Sequence, residues 1–513
     1  MAKLGNNMVS LYGVYDYGGY DKEYEVVVCG GGTSGAMAAI AAARTGAKTL
    51  LIEKSGTIGG QLNVSGPPGF AYARLHNCKG QQDTAGLLYE SYLRLYKTGH
   101  ALAQFRPKVR QMAGYTFSYV DPDWFSLDIF DMLTEAGVIL LLDTLVVDVT
   151  KSGDSVTGVV IENCNGRNTI PCKVVIDCTG EAHVSKKAGC ETVETDRDII
   201  QPHSIGFTAD GVDWDRFLHY LNNFPEQFET DQLTHSNPNV TKEMVYDWFK
   251  HITDIRELGE IMGFKDLRAI ALENGDWHPN SGAGFFFMPK GDKILAHFQH
   301  SCQVDHALPS DAWDMTRCNI ELRKQIQIAW RFFKNYVPGF EHAYIVRMGT
   351  EIRIREGARV IGDYELNRSD VVNEARFDDV IGLSSFPCGA HHSTNEKTLA
   401  VVEDDSGKVQ NVGEYGHPKN LGSYAIPYRV LVPKKIENFL VAGKHVSTDR
   451  AAYLRYVQQT MVTGQAAGVA AALCVKYGKT PRELEADVTE LQTILLEQGA
   501  ILSLPDDEKQ YTL

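Results

Sequence analysis

VVVCGGGTSGAMAAIAAARTGAKTLLIEK, residues 26–54, decides the fold. The run from Tyr24 to Cys29 carries Val26, Val27 and Val28 with no polar alternation, the pattern of a parallel strand buried on both faces. Gly30, Gly32 and Gly35 then spell G-x-G-x-x-G. The first allows a tight turn, the second lets a pyrophosphate approach the backbone, and the third lets the following helix pack closely on the strand. From Ser34 to Arg44 the chain is mostly alanine, a strong helix former, and the N–H groups at its start carry partial positive charge toward the phosphates. Gly46 ends that helix. A second apolar strand, Thr49 to Ile52, runs into Glu53, where a carboxylate accepts hydrogen bonds from the hydroxyls of a ribose without a 2′-phosphate. Strand, turn, helix, strand and acid in this order favour a dinucleotide site over a ligand-free βαβ unit, and they leave FAD and NAD both open.

Working outward, the chain has 513 residues, too long for one ordinary core, so two domains are expected. Hydrophobic content of 43% and charged content of 22% are those of a globular enzyme. A net charge of −15 argues against nucleic acid or an anionic membrane as partner, since both require basic surface. The N-terminal stretch has no signal-peptide run and no segment is long and apolar enough to span a bilayer, so a cytoplasmic location is expected. Ten cysteines are scattered without a C-x-x-C pair, which offers no dithiol centre, iron–sulfur run or disulfide framework.

Further along, Asp121-Pro122 starts a helix that ends near Gly137, strands follow at Val138 and Val146, and Asn165-Gly166 turns a hairpin. Val174 to Asp177 is another short buried strand. From Asp198 to Gly416 the pattern becomes aromatic-rich and irregular, with helical character in Phe217 to Gly275. IENFLVAGKHV then supplies a late strand, TMVTGQAAGVAAAL a helix whose Gly464 and Gly468 permit close packing, and Thr480-Pro481-Arg482-Glu483 a capping box. The expected fold class is α/β: a Rossmann-like dinucleotide-binding domain with a parallel sheet, plus an inserted α+β substrate domain. The expected boundaries are a tail over 1–23, the first part of the cofactor domain over 24–197, the insert over 198–416, and the second part with the C-terminal helices over 417–513.

The stretch Glu53-Lys54-Ser55 through Gly59-Gly60-Gln61 resembles the E-K-x-x-x-x-G-G run of FAD-dependent oxidoreductases. With VDPDWFSLDIFDMLTEAG, VVIDCTGEAHVSKKAG, IRIREGARVIGDYEL, YAIPYRVLVPKKIENFLVAGKHVS and TMVTGQAAGVAAAL, the chain resembles the FAD-dependent oxidoreductases of the fumarate reductase and glutathione reductase superfamily. The resemblance implies FAD as cofactor. It implies that Gly30, Gly32, Thr33, Ser34 and Gly35 hold the pyrophosphate, Glu53 the ribose and Lys54 the adenine edge. Gly60 and Gln61 would lie beside the ribityl chain, and Val146 would offer its backbone to adenine. Thr179 and Gly180 match a strand-end T-G, while Ala442 and Gly443 match an A-G that brings backbone N–H groups to the flavin ring. The chain departs from the pattern at Glu181, where Asp is common, and at Gln61-Leu62-Asn63, where a small residue and threonine are common.

With hydride exchange supplied at the flavin N5, the protein must orient a small-molecule substrate and move a proton. The R-E-x-x-R of Arg355, Glu356 and Arg359 would put both arginines on one strand face, facing an anionic or carbonyl oxygen, or else join the domains through ion pairs. His391 and His392 precede the return to the cofactor domain and are candidate proton carriers; paired loop histidines are the bland alternative. His445 is a candidate for the flavin's pyrimidine edge or a helix cap, and Arg455 for the active site or a surface ion pair. His297, His300, Cys302 and His306 are zinc-ligand types, but their spacing matches no common zinc pattern, so no metal is expected. The leading reading is an FAD-dependent oxidoreductase acting at a C–OH, C–N or activated C=C group. The alternatives are a flavoenzyme with no net redox change, through isomerisation or elimination, and an FAD-containing binding or scaffold protein. Substrate, electron partner and oligomeric state stay open.

Overall fold

The computed structural model describes residues 7–10, 13–16, 18–20, 22–65, 72, 74–101, 118–230, 240–278, 282–388, 401–403, 409–411, 416 and 418–504. The elements that position the site are numbered along the chain. They begin with strand β1 (Val26–Cys29), helix α1 (Thr33–Arg44), β2 (Thr49–Ile52), α2 (Gln61–Val64), α3 (Pro122–Glu135) and β3 (Ile139–Leu141). Next come β4 (Leu145–Ser152), β5 (Ser155–Asn163), β6 (Gly166–Pro171), β7 (Val174–Asp177) and β8 (Phe207–Asp210). The rest are β9 (Glu260–Met262), β10 (Gly284–Lys290), β11 (Lys293–Phe298), α4 (Ala312–Tyr336), β12 (Tyr344–Met348), β13 (Phe439–Val441) and α5 (Val457–Tyr477).

The parallel sheet runs in the order β13-β7-β1-β2-β3. Every residue of β1, β2, β7 and β13 is buried, which is why these short runs, Thr49 and Asp177 apart, are apolar without alternation. Asp121 caps α3 by accepting the N–H of Asp123, with Pro122 in the first turn, as the sequence predicts. The antiparallel β4-β5-β6 sheet stands beside the parallel one and turns at Asn165-Gly166. Helix α5 returns from the far end of the chain to lie directly on α1. A Cβ on Gly464 would stand 2.1 Å from the Ser34 carbonyl oxygen, and one on Gly468 would stand 2.1 Å from that of Ala38. Only glycine allows this approach, and it brings the N-termini of both helices to the same edge of the sheet.

A second, antiparallel sheet runs β9-β10-β11-β8-β12. Its core is aromatic: Phe298 meets Phe333 at 4.5 Å between ring centroids, and Phe217 meets Phe285 at 5.3 Å. The segment 214–275 contributes helices Trp214–Asn223, Lys242–His251 and Lys265–Glu273. This core gathers residues from Ile205 to Ile352, whereas Ala358, Val360, Leu366, Val371 and Ile381 pack in the core of the parallel sheet. The chain therefore rejoins the first core near Ala358, well before the expected Gly416. Composition alone hides this, because an irregular segment buries its apolar residues wherever it lands.

The two cores are tied at α2. The Arg347 guanidinium donates to the Asn63 carbonyl at 3.0 Å and to its Oδ1 at 2.9 Å, and the Thr350 N–H reaches the Val64 carbonyl at 2.7 Å. Lys54 pairs with Glu351 at 2.8 Å and Lys290 with Asp123 at 2.8 Å. Among the described residues, no helix is long and apolar enough to cross a membrane.

Asp83 is fully buried and accepts hydroxyls from Thr84 at 3.1 Å and Ser423 at 2.7 Å. Burial pushes its carboxyl from 3.8 up to about 6, against the pull of those hydroxyls. The folded chain thus keeps a proton that the unfolded chain releases. Stability falls as pH rises from the unfolded toward the folded value, by on the order of 3 kcal/mol, and stays lowered above it. Asp83→Asn is expected to raise the thermal midpoint at pH 8 and leave it nearly unchanged at pH 4; equal effects at both would contradict the assignment.

Candidate functional site

A cavity of about 350 Å³ lies where the C-terminal ends of β1, β2 and β7 and the turn after β13 face residues 351–355. Gly30, Gly32, Thr33, Ser34, Glu53, Lys54, Gly60, Gln61, Val146, Thr179, Gly180 and Gly443 all line it, and so do Arg355 and Arg455.

At the cradle the three motif glycines have different reasons to be glycine. Gly30 has φ +104°, and a Cβ there would lie 2.6 Å from the Cys178 carbonyl oxygen. A Cβ on Gly35 would lie 1.8 Å from the Gly30 carbonyl oxygen. Gly32 has φ −70°, open to any residue, and its Cβ would meet nothing nearer than the Gly60 Cα at 3.9 Å. The fold leaves the face of Gly32 open on the cavity, a space that a side chain would fill. Gly32 caps α1 without a side-chain hydrogen bond, so the N–H groups of Thr33 and Ser34 open on the cavity at the positive end of the helix. These residues fit a dinucleotide pyrophosphate.

Beside the cradle, Glu53 accepts the Gly31 N–H at 2.6 Å on one oxygen, and the Ser55 N–H at 3.0 Å and hydroxyl at 3.1 Å on the other. Its orientation is fixed, and the oxygen that accepts only the Gly31 N–H keeps capacity for a ribose hydroxyl. Lys54 reaches Glu351 at the cavity mouth. Val146 lines the cavity beside an irregularity in the β4–β5 register, between Val146 and Asp148. The T-G turn after β7 is shaped by Asp177, which accepts the Thr179 N–H at 2.9 Å and hydroxyl at 2.6 Å, and the Ser185 N–H at 2.7 Å and hydroxyl at 2.6 Å.

Three expectations need correction. The N–H of Ala442 is bound to the Asp177 carbonyl at 3.0 Å and that of Gly443 to the Thr463 hydroxyl at 3.1 Å. The A-G pair therefore holds the sheet edge and α5 together instead of offering N–H groups to a ring, and Ala442 does not line the cavity. His445 is also off the cavity: its ring is fully buried with Nε2 3.6 Å from Asp177 Oδ1, and burial lowers its pKa. Finally, Arg355 and Arg359 do not share a face, and Glu356 and Arg359 follow the ion-pair alternative. Arg359 donates to the Thr448 carbonyl at 3.1 Å and joins a buried set in which Glu356 accepts from Thr195 at 2.5 Å and Arg450 at 3.0 Å. Residues 354–358 form no regular strand, so alternation does not hold across them. His391 and His392 lie outside the described residues.

The far end of the cavity is cationic. Arg353 donates to the Gln299 side chain at 2.6 Å; Arg355 donates to the Pro202 carbonyl and to His300 Nδ1 at 3.4 Å. Arg455 stacks on the Tyr456 ring, 4.7 Å from its centroid, and Tyr456 stacks on Phe386. Lys444, unexpected from the sequence, pairs with Glu181 at 2.5 Å and donates to the Ile354 carbonyl at 2.9 Å. Gln61 also reaches that carbonyl, at 3.2 Å, so the arginine segment is pinned from both sides. Burial pushes Arg353 down to about 10, with Arg455 adding to the effect, and His300 well below the usual histidine range. Among the described residues, no group of three or more His, Cys, Asp and Glu side chains is arranged to hold a metal ion.

Residues 25–495 match the profile of a family described as FAD dependent oxidoreductase. The NADH:fumarate oxidoreductase of Klebsiella pneumoniae is 31% identical over 174 residues, covering 28% of this chain and 18% of that protein. Digeranylgeranylglycerophospholipid reductase 2 of Methanothermobacter thermautotrophicus is 28% identical over 196 residues, covering 38% and 48%. The chain thus spans less than half the length of either curated relative. A solved geranylgeranyl bacteriochlorophyll reductase-like protein of Thermoplasma acidophilum aligns at 15% identity with a TM-score of 0.44, over 95% of this chain and 89% of that one.

Proposed function

The chain belongs to the FAD-dependent oxidoreductase family, with FAD as its cofactor, and on that premise we propose that it transfers hydride between the flavin N5 and a small organic substrate, at a C–OH, C–N or activated C=C group. The observation that carries this reading is that a single cavity joins the Gly32 cradle to a group of arginines, buried Arg355 with half-buried Arg353 and Arg455.

In this reading the N–H groups at Gly32, Thr33 and Ser34 bind the pyrophosphate, with Gly30 and Gly35 shaping the turn. Glu53 accepts ribose hydroxyls, Lys54 and the Val146 backbone border the adenine, and Gly60, Gln61, Thr179 and Gly180 line the ribityl path. Lys444, clamped between Glu181 and the Ile354 carbonyl, fixes residues 353–355 against the turn after β13. Arg355 and Arg455 orient the substrate, and burial of Arg355 strengthens the polar contacts it makes. His391 or His392 carries the proton. The first core, from residue 24 to 197 and again from about Ala358 onward, holds the cofactor, while Ile205 to Ile352 shapes the substrate end.

Anaerobic titration tests the reading. A substrate from a panel of alcohols, amines and activated alkenes is expected to bleach the oxidised flavin, or to restore the visible band of dithionite-reduced protein. Product formed with no external acceptor and no spectral change would instead indicate isomerisation or elimination.

A further inference from the structure

Among the described residues, the arginine end of the cavity has no ion-paired carboxylate. Arg353, Arg355 and Arg455 line it together, and their hydrogen-bonding partners are a glutamine, a backbone carbonyl, a histidine and a tyrosine. No carboxylate among the described residues pairs with any of the three. Arg355 is 2% exposed, and Arg455 Nε is buried with no partner. Of the acids nearby, Glu181 is committed to Lys444 and Glu356 to Arg359 and Arg450, while Asp305 acts on Arg355 through its field without an ion pair. The neighbouring histidines add no further positive charge. His203 is pushed down to about 4 and His297 to about 3 by burial, so both are neutral near pH 7.

A guanidinium keeps its proton in a folded protein, and an unpaired buried charge is costly. Burial, then the fields of Arg353 and Arg455, push Arg355 well below the ordinary arginine range, against a smaller pull from Tyr456 and Asp305. Ordinary domain-joining arginines are satisfied by acids, as Arg359 and Arg450 are here. These three instead converge on a cavity.

We propose that this end is a carboxylate site, and that the substrate is a small organic acid whose carboxylate is received by Arg353, Arg355 and Arg455. The planar guanidinium fork matches a carboxylate through paired N–H···O bonds. Ile352, Ile354 and Val457 line the same cavity and supply apolar surface for a hydrocarbon body. This deepens the hydride-transfer reading and rests on it for the word substrate, while the anion site itself stands on the arginines.

The test is isothermal titration of the FAD-loaded protein with benzoate and succinate, each against its uncharged amide, benzamide and succinamide. The acids are expected to bind and the amides to bind at least about 30-fold more weakly, since the amide leaves buried guanidinium N–H groups poorly paired. Arg355→Met and, independently, Arg455→Met are expected to lose a similar factor while retaining full flavin content. Amides binding as tightly as acids, both variants keeping wild-type affinity, or no carboxylate binding at millimolar concentration would overturn the proposal. Binding heat requires no turnover, so the two readings fail separately. A protein that binds carboxylates but exchanges hydride with nothing would defeat the hydride-transfer reading and leave the anion site standing.

Discussion

Gly32→Val is expected to give a chain that folds as the wild type does and carries no flavin. The backbone at Gly32 has φ −70° and is open to any residue, and an added Cβ meets no protein atom closer than 3.9 Å. The folding cost is that of a poor N-cap, about 1 kcal/mol. The added methyl groups instead occupy the face on which the pyrophosphate rests, so FAD affinity should fall at least about 100-fold, or roughly 3 kcal/mol. Gly35→Ala is the control with the opposite behaviour. Its Cβ would be driven to 1.8 Å from a backbone oxygen, so it should fail to fold whether or not FAD is present. Flavin content, with the apoprotein's thermal midpoint and circular dichroism, reads both. A Gly32→Val protein that is normally yellow would show that the phosphates lie elsewhere.

Asp177→Asn is expected to destabilise the chain by on the order of 3 kcal/mol and to weaken FAD binding about tenfold or more. The carboxylate accepts four hydrogen bonds from two residues, two of them backbone N–H groups that cannot rotate away. Burial opposes its charge, but His445 and the bonds from Ser185 and Thr179 outweigh burial and hold the carboxyl below its usual range. An asparagine of the same shape must turn its NH₂ toward either the Thr179 or the Ser185 N–H, donor against donor. The turn bearing Thr179 and Gly180 then shifts at the cavity wall. Thermal midpoints with and without FAD, and FAD affinity by fluorescence quenching, check this; a wild-type midpoint would show that the turn is held by other contacts.

What could be read from the sequence was local. The βαβ unit, the Asp121-Pro122 helix start and the Thr480–Glu483 capping box each depend on residues within one or two turns of each other, and all form. What could not be read depended on partners distant in sequence. The Gly443 N–H is taken by Thr463, and Lys444 finds its acid at Glu181. His445 is drawn to Asp177, more than two hundred positions earlier, and so leaves the cavity. Arg353 and Arg355 are two apart in IRIREGARV and line the same cavity, whereas Arg359 lies beyond the irregular stretch and turns inward.

The most direct test of the central claim, that one cavity runs from the Gly32 cradle to the arginine end, is a crystal structure of the FAD-loaded protein. The expected map has the pyrophosphate on the N–H groups at Gly32, Thr33 and Ser34, the adenosine ribose on Glu53, and the flavin ring at the end bearing Arg353, Arg355 and Arg455. A flavin ring directed away from the arginines, or a cofactor bound clear of the Gly32 cradle, would contradict it.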